Sequence, residues 1–177
     1  EAAAIAVLEQ LEGEPDYALS AARQLEVEYE AIGAHDEQAR VLEKLLSGAS
    51  DAAERRVLFG RLATVHREQR QDSVAAFSVL RRAAAEFPND LDIWDRLGEL
   101  GSKTDSLRLV AESYARALAP QEPDALEQPE RRLSLTVARE LCVRASALLE
   151  DRLHEPDAAI PYLQRILQTD PCDAPAF

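Results

Sequence analysis

The sequence predicts an all-α fold, a solenoid of antiparallel helix pairs, and three observations carry that prediction. Helix-forming Ala, Leu, Glu and Arg dominate the 177 residues, against only 6 Gly, 4 Phe, 4 Tyr and 1 Trp, and strand-like alternation of Val, Ile, Thr and aromatics is missing. Few large aromatics favour thin Ala and Leu layers between helices over one deep core. Second, one pattern recurs. Pro88-Asn89-Asp90-Leu91-Asp92-Ile93-Trp94 and Pro171-Cys172-Asp173-Ala174-Pro175-Ala176-Phe177 each end on an aromatic six positions after a proline. Each follows a helix-like run with small or branched residues at fixed offsets: Ala76, Leu80 and Ala83 in one, Ala159, Leu163 and Ile166 in the other. Third, reference points near Gln38, Ala76 and Val110 step by roughly the 34 residues of a helix-pair repeat, and the last step, to Ala159, is longer.

Each element has its own signal. Residues 1–13 read as a helix, with Ala4, Leu8 and Leu11 on one stripe and Gly13 as the stop. Pro15 and Asp16 open the next, which runs through Leu19, Ala22, Leu25 and Tyr29 to Gly33. A turn at Ala34, His35 and Asp36 leads into a helix with Ala39, Leu42, Leu45 and Leu46, ending at Gly48. Asp51 and Glu54 have capping-box spacing before a helix carrying Val57, Leu58, Leu62 and Val65. Residues 72–86 are its partner, stopped by Pro88, because the residue before a proline is pushed out of the helical region. Asp90 to Gly101 forms a short helix, and Thr104 or Asp105 caps the following one through Ala119. The acidic, proline-rich stretch 120–129 reads as an irregular loop. A long helix then runs from about Glu130 to Leu153, and Pro156 opens the last, with Pro161 inside it.

The residues resemble the tetratricopeptide repeat family. Trp94, Leu97, Gly98, Tyr114 and Ala117 match its pattern with the correct gaps, although Gly101 stands where a Tyr belongs and Val110 where an Ala belongs. Asp157, Ala159, Ile160, Leu163, Ile166, Leu167 and Pro171 match the second helix of a repeat. Leu25, Tyr29, Gly33, Leu42 and Leu45 match more loosely, as do Leu62, Ala76, Leu80, Ala83 and Pro88. The resemblance implies one array over 1–177: a partial repeat at 1–13, repeats at 16–48, 51–88 and 90–120, a loop at 121–129, an extended repeat at 130–171, and the start of another at 172–177. Neither helix of such a pair buries its apolar stripe alone, so pairs stack. Gly98 is expected to let helices approach closely. With no Met in the sequence, the chain reads as part of a longer one.

A net charge of −13 disfavours nucleic acid and anionic membrane surfaces, both of which need Lys and Arg on the surface. No apolar run is long enough to span a bilayer, and no signal-peptide pattern opens the chain. Cys142 and Cys172 do not suggest a disulfide framework, which leaves the compartment open with the cytoplasm slightly favoured. Cations other than Lys44 and Lys103 are all Arg, as in a GC-rich bacterial genome.

Chemistry is sparse. His66-Arg67-Glu68 has the His-x-Glu of zinc deaminases, but Pro171-Cys172 lacks the second cysteine of their other half. Glu150 and His154 read as an ion pair at a helix end in preference to metal ligands, and Cys142 as a buried, inert thiol. No phosphate-binding glycine loop or nucleophile elbow occurs. Neither catalysis nor a cofactor is expected.

In the family resembled, first helices line a concave groove that holds a peptide. The matching positions here are Arg23, Val27 and Glu30; Gly60, Thr64 and Arg67; and Asp92, Asp95 and Glu99. Of these, Asp92, Asp95, Glu99, Arg67 and Arg23 are the candidate partner-binding residues, suited to a basic or mixed-charge protein segment. Relatives that grip a carboxylate terminus use Lys and Asn where Asp95 and Glu99 stand here, so that activity is not implied. The expected function is a protein-interaction scaffold. The alternatives are a sensor or substrate-docking part of a larger enzyme, or a self-assembly module that associates through Ile5, Leu8 and Leu11 at one end and Ile160, Leu163 and Leu167 at the other.

Overall fold

The computed structural model describes residues 2–119 and 132–169, and among them every regular element is helical. In chain order these are α1 (Ala2–Glu12), α2 (Ala18–Ile32), α3 (His35–Gly48), α4 (Ala52–Thr64), α5 (Ser73–Glu86), α6 (Leu91–Lys103), α7 (Leu107–Leu118), α8 (Leu135–Ala147) and α9 (Pro156–Thr169). Val65–Gln69 and Leu148–Arg152 extend α4 and α8 as π-helical turns. Two compact units result, Glu1–Val79 and Leu80–Phe177, with the division inside α5.

In the first unit α1 packs on α2, α2 on α3 and α3 on α4; in the second α6 packs on α7, α7 on α8 and α8 on α9. The turn between α2 and α3 requires its glycine. Gly33 adopts φ 71, the left-handed value that closes a helix, while its N–H and that of Ala34 satisfy the last carbonyls of α2. The first unit buries Ala22 and Leu25 of α2, Val41, Leu42 and Leu46 of α3, and Leu62 and Ala63 of α4. The second is built around Trp94, Leu97 and Leu100 of α6, Val110 and Tyr114 of α7, Leu141 and Ala145 of α8, and Ala159 of α9. Leu, Val and Ala make up most of both layers, as the composition anticipated, with Trp94 and Tyr114 set into the second.

Side-chain links fix how successive pairs repeat. Arg23 to Glu54 (2.8 Å) and Arg61 to Glu30 (3.2 Å) both join residues 31 apart. An equal offset at both ends of the contact means that α2 and α4 run parallel, as first helices of consecutive pairs do. In the second unit Arg144 to Asp95 (2.6 Å) and Arg152 to Ser102 (3.0 Å) join α6 to α8 across 49 and 50 residues. Arg108 to Glu155 and Arg165 to the Leu118 carbonyl join α7 to α9 across 47. The helix-pair step is therefore stretched in the second unit, as the sequence spacing indicated.

One module occurs twice. α4, its π turn and α5 recur 83 positions on as α8, its π turn and α9, boundary for boundary, from Ala52 to Leu135 and from Ser73 to Pro156. Asp51 caps α4 by accepting from the Glu54 N–H, and Ser134 caps α8 by accepting from the Val137 N–H. Leu58 and Leu141, Leu62 and Ala145, and Ala76 and Ala159 are buried in corresponding places. Gln71 and His154 both leave the π turn at φ 55. Sequence alone shows the second helix of each copy and the proline after it, and not the first helix or the π turn.

Several expectations need correction. α2 begins at Ala18, after turns through Glu14 and Tyr17, and α8 begins at Leu135 because Ser134 supplies the cap. Neither Thr104 nor Asp105 caps α7: the Thr104 hydroxyl donates back to the Leu100 carbonyl of α6, and Asp105 takes φ 54 in the turn. Glu54 turns from the capping box to Arg23. Val57 is exposed where a stripe residue was expected. A Cβ at Gly98 would meet open space, so that glycine does not mediate close packing; at Gly48 it would lie 2.5 Å from a methyl of Leu19. α9 runs through Pro161 as expected. The expected loop at 120–129 and repeat start at 172–177 lie outside the described residues.

Candidate functional site

The predicted partner-binding residues fall in both units. In the first, Arg23, Val27 and Glu30 share one face of α2, being spaced by four and three. The parallel register of α2 and α4 sets this face beside Glu54, Val57 and Arg61. Two ion-pair rungs result, Arg23–Glu54 at one level and Glu30–Arg61 at the other. Val27 and Val57 lie between the rungs, 58% and 60% exposed. Arg67 sits beyond them in the π turn, 2.8 Å from Glu68. Gly60 has no neighbour within reach of a Cβ, and Thr64 turns its hydroxyl back to the Gly60 carbonyl.

In the second unit Asp92, Asp95 and Glu99 project from the exposed side of α6. They do not form a uniform acidic face. Asp95 holds Arg144 of α8 at 2.6 Å, and Glu99 holds Lys103 one turn on at 2.6 Å. Asp92 lies in the first turn of α6, where its charge favours the helix dipole.

A polar network in the first unit was not read from the sequence. Glu26 is 2% exposed in the face between α2 and its neighbours, accepting from Gln38 Nε2 of α3 at 3.0 Å and pairing with Arg61 of α4 at 2.5 Å. Gln38 extends toward His35 Nδ1, 3.4 Å away. The signal was a carboxylate one turn from Ala22 on an apolar stripe. Nearby, Gly33, His35, Asp36, Gln69, Arg70 and Asp72 border a polar cleft of about 410 Å³. Arg70 spans it, donating to Asp36 Oδ1 at 2.6 Å and to His66 Nδ1 at 2.8 Å.

α1 is fastened to α3 by a similar device. Arg40 donates to both oxygens of Glu12, at 2.9 and 3.0 Å, and Lys44 donates to the Glu12 carbonyl at 2.8 Å. The Arg40 hydrogen bonds hold the Glu12 carboxyl below its ordinary range, outweighing burial, which acts the other way.

The remaining motifs resolve simply. Cys142 is free and buried, and burial pushes its thiol up, away from nucleophile chemistry. His154 lies past the π turn at φ 55, off the regular helical register that would set it over Glu150. Among the described residues, no group of three or more His, Cys, Asp or Glu is arranged to hold a metal ion. Nor is any helix among them long and apolar enough to cross a membrane.

Among solved structures the chain is similar to MamA AMB-1, at 19% identity over 96% of this chain and 82% of that one, with a TM-score of 0.45. It is also similar to MamA MSR-1, at 19% identity over 96% and 87%, with a TM-score of 0.42. No family model matches the chain, and no curated protein matches it.

Proposed function

We propose that this chain is a protein-interaction scaffold that holds a partner segment against the exposed faces of its first helices, without catalysis of its own. The observation that carries this reading is the α2–α4 face: two valines in solvent, framed above and below by ion pairs of opposite polarity. Such a face offers apolar contact in the middle and charged groups of both signs at its margins, which suits a mixed-charge segment. On α6, Asp95 paired with Arg144 and Glu99 paired with Lys103 present charges of both signs beside Asp92, which suits the same mixed-charge class of segment.

The test is a pull-down with the wild-type chain and with Val27→Asp/Val57→Asp. Both side chains are exposed, so the variant folds, and loss of the captured partner supports the reading. Equal capture refutes it. An Asp92→Asn/Asp95→Asn/Glu99→Gln variant, assayed at low salt against the captured partner, tests the charge preference; unchanged affinity removes α6 from the surface. A second reading, self-association through the end helices, draws support from Val7 of α1 and Ile160 of α9, both exposed. Light scattering over a concentration series separates the two.

A further inference from the structure

His66 is an unusual residue for its place. It is buried in the π turn after α4, and the corresponding residue of the second copy of the module is Leu149, also buried. Packing alone is thus met by an apolar side chain. The imidazole adds a hydrogen-bond acceptor: Arg70 Nη1 donates to His66 Nδ1 at 2.8 Å, which leaves the ring proton on Nε2. The same guanidinium donates through Nε to Asp36 of α3. Around it the Arg70 N–H bonds the Val65 carbonyl at 3.0 Å and the Asp72 N–H bonds the His66 carbonyl at 2.8 Å. Arg70 therefore ties the joint between α4 and α5 to the start of α3, across the cleft that Asp36 and Asp72 border.

We propose that His66 and Arg70 form an acid-sensitive latch: a proton taken from solvent onto His66 Nδ1 removes the acceptor Arg70 uses, sets two cations together, and frees the tie to Asp36. The cleft then loses the cross-link between its walls. The proposal stands apart from the scaffold reading, since none of its residues lies among the valines or the ion-pair rungs.

The groups around the ring set the balance. Burial and then Arg70 oppose the imidazolium; Asp72 at the start of α5 and Glu43 on α3 favour it. Asp36 on α3 is engaged by Arg70, and Arg67 and Glu68 of the same turn are paired. Burial and Arg70 prevail, holding His66 neutral to lower pH than an ordinary imidazole. The unfolded chain takes up the proton first. The latch is thus intact above about pH 6.5 and is lost as pH falls from there through the folded-state value.

The experiment is an NMR titration of the full chain, with the three histidines assigned by substitution, alongside amide exchange corrected for its intrinsic pH dependence. The His66 ring is expected to titrate below about pH 6.5, and the Arg70 and Asp72 amides are expected to lose protection over the same window. In His66→Leu, which copies the leucine found at position 149, that loss disappears. In Arg70→Gln the His66 midpoint moves up, because a facing cation is gone. A His66 midpoint at or above the ordinary value overturns the proposal, as does the same loss of protection in His66→Leu. Should His66→Leu fail to fold, an unmoved midpoint in Arg70→Gln overturns it.

Discussion

Replacing Trp94 should expose how far the second unit depends on one side chain. The ring is 1% exposed, its centroid is 5.1 Å from that of Tyr114 with the planes tilted by 31°, and Nε1 donates to the Pro88 carbonyl at 2.9 Å. Trp94→Ala removes the packing and the aromatic pair, a loss of about 3–5 kcal/mol for a buried aromatic. Trp94→Phe keeps a ring against Tyr114 but strands the Pro88 carbonyl in a buried site, which costs about 1–3 kcal/mol. The two variants therefore separate packing from the hydrogen bond. Trp94 is the sole tryptophan, so its fluorescence follows the second unit in the wild type, and far-UV circular dichroism in denaturant follows all three chains. Two units can unfold in separate steps, and the loss should fall on the transition that fluorescence reports. If both variants unfold at the wild-type midpoint, the packing described around α6 is wrong.

Three further outcomes are expected. Gly98→Ala should stabilise the second unit by about 0.5–1 kcal/mol, because the new methyl meets open space inside a helix; a denaturation midpoint below wild type would contradict it. His154→Gly should gain about 1 kcal/mol by relieving a left-handed backbone in a residue with a Cβ, read in the same assay. Glu12→Ala should loosen α1 from α3 by about 1–2 kcal/mol, a buried-pair loss discounted because Arg40 is half exposed. Since the Glu12 carboxyl is held below its ordinary 4.5, its contribution is present above that pH and fades as pH falls through the folded-state value. Amide exchange in α1 should show that fading in the wild type and not in Glu12→Ala.

Much of the architecture was legible because it is written locally. Helix propensity, the Asp51 cap, the Gly33 stop and the proline after α5 each act within a few residues, so they survive reading without a structure. The longer offset between α6 and α8 was legible for the same reason, since sequence spacing records it directly. That Arg23, Val27 and Glu30 share one face of α2 was legible too, because helical periodicity decides which side chains share a face.

Tertiary structure decided what those faces contain. Asp95 and Glu99 look like free carboxylates in sequence, yet Arg144 lies 49 residues away and meets Asp95 only once α6 and α8 run parallel. Glu26 shows its burial in sequence only by standing one turn from Ala22 on an apolar stripe, and His66 shows none; both are polar residues that neighbouring helices close over. Gly98 fits a repeat pattern by position, but whether its missing side chain matters depends on what stands opposite, and nothing does. The 83-residue recurrence of the π turn is hidden because backbone geometry, unlike side-chain identity, is shared between Gln71 and His154. Sequence determined the elements and their period, through interactions that span one or two helical turns. Structure alone determined which charges are neutralised and which apolar side chains remain in solvent, because those depend on partners brought together from distant parts of the chain.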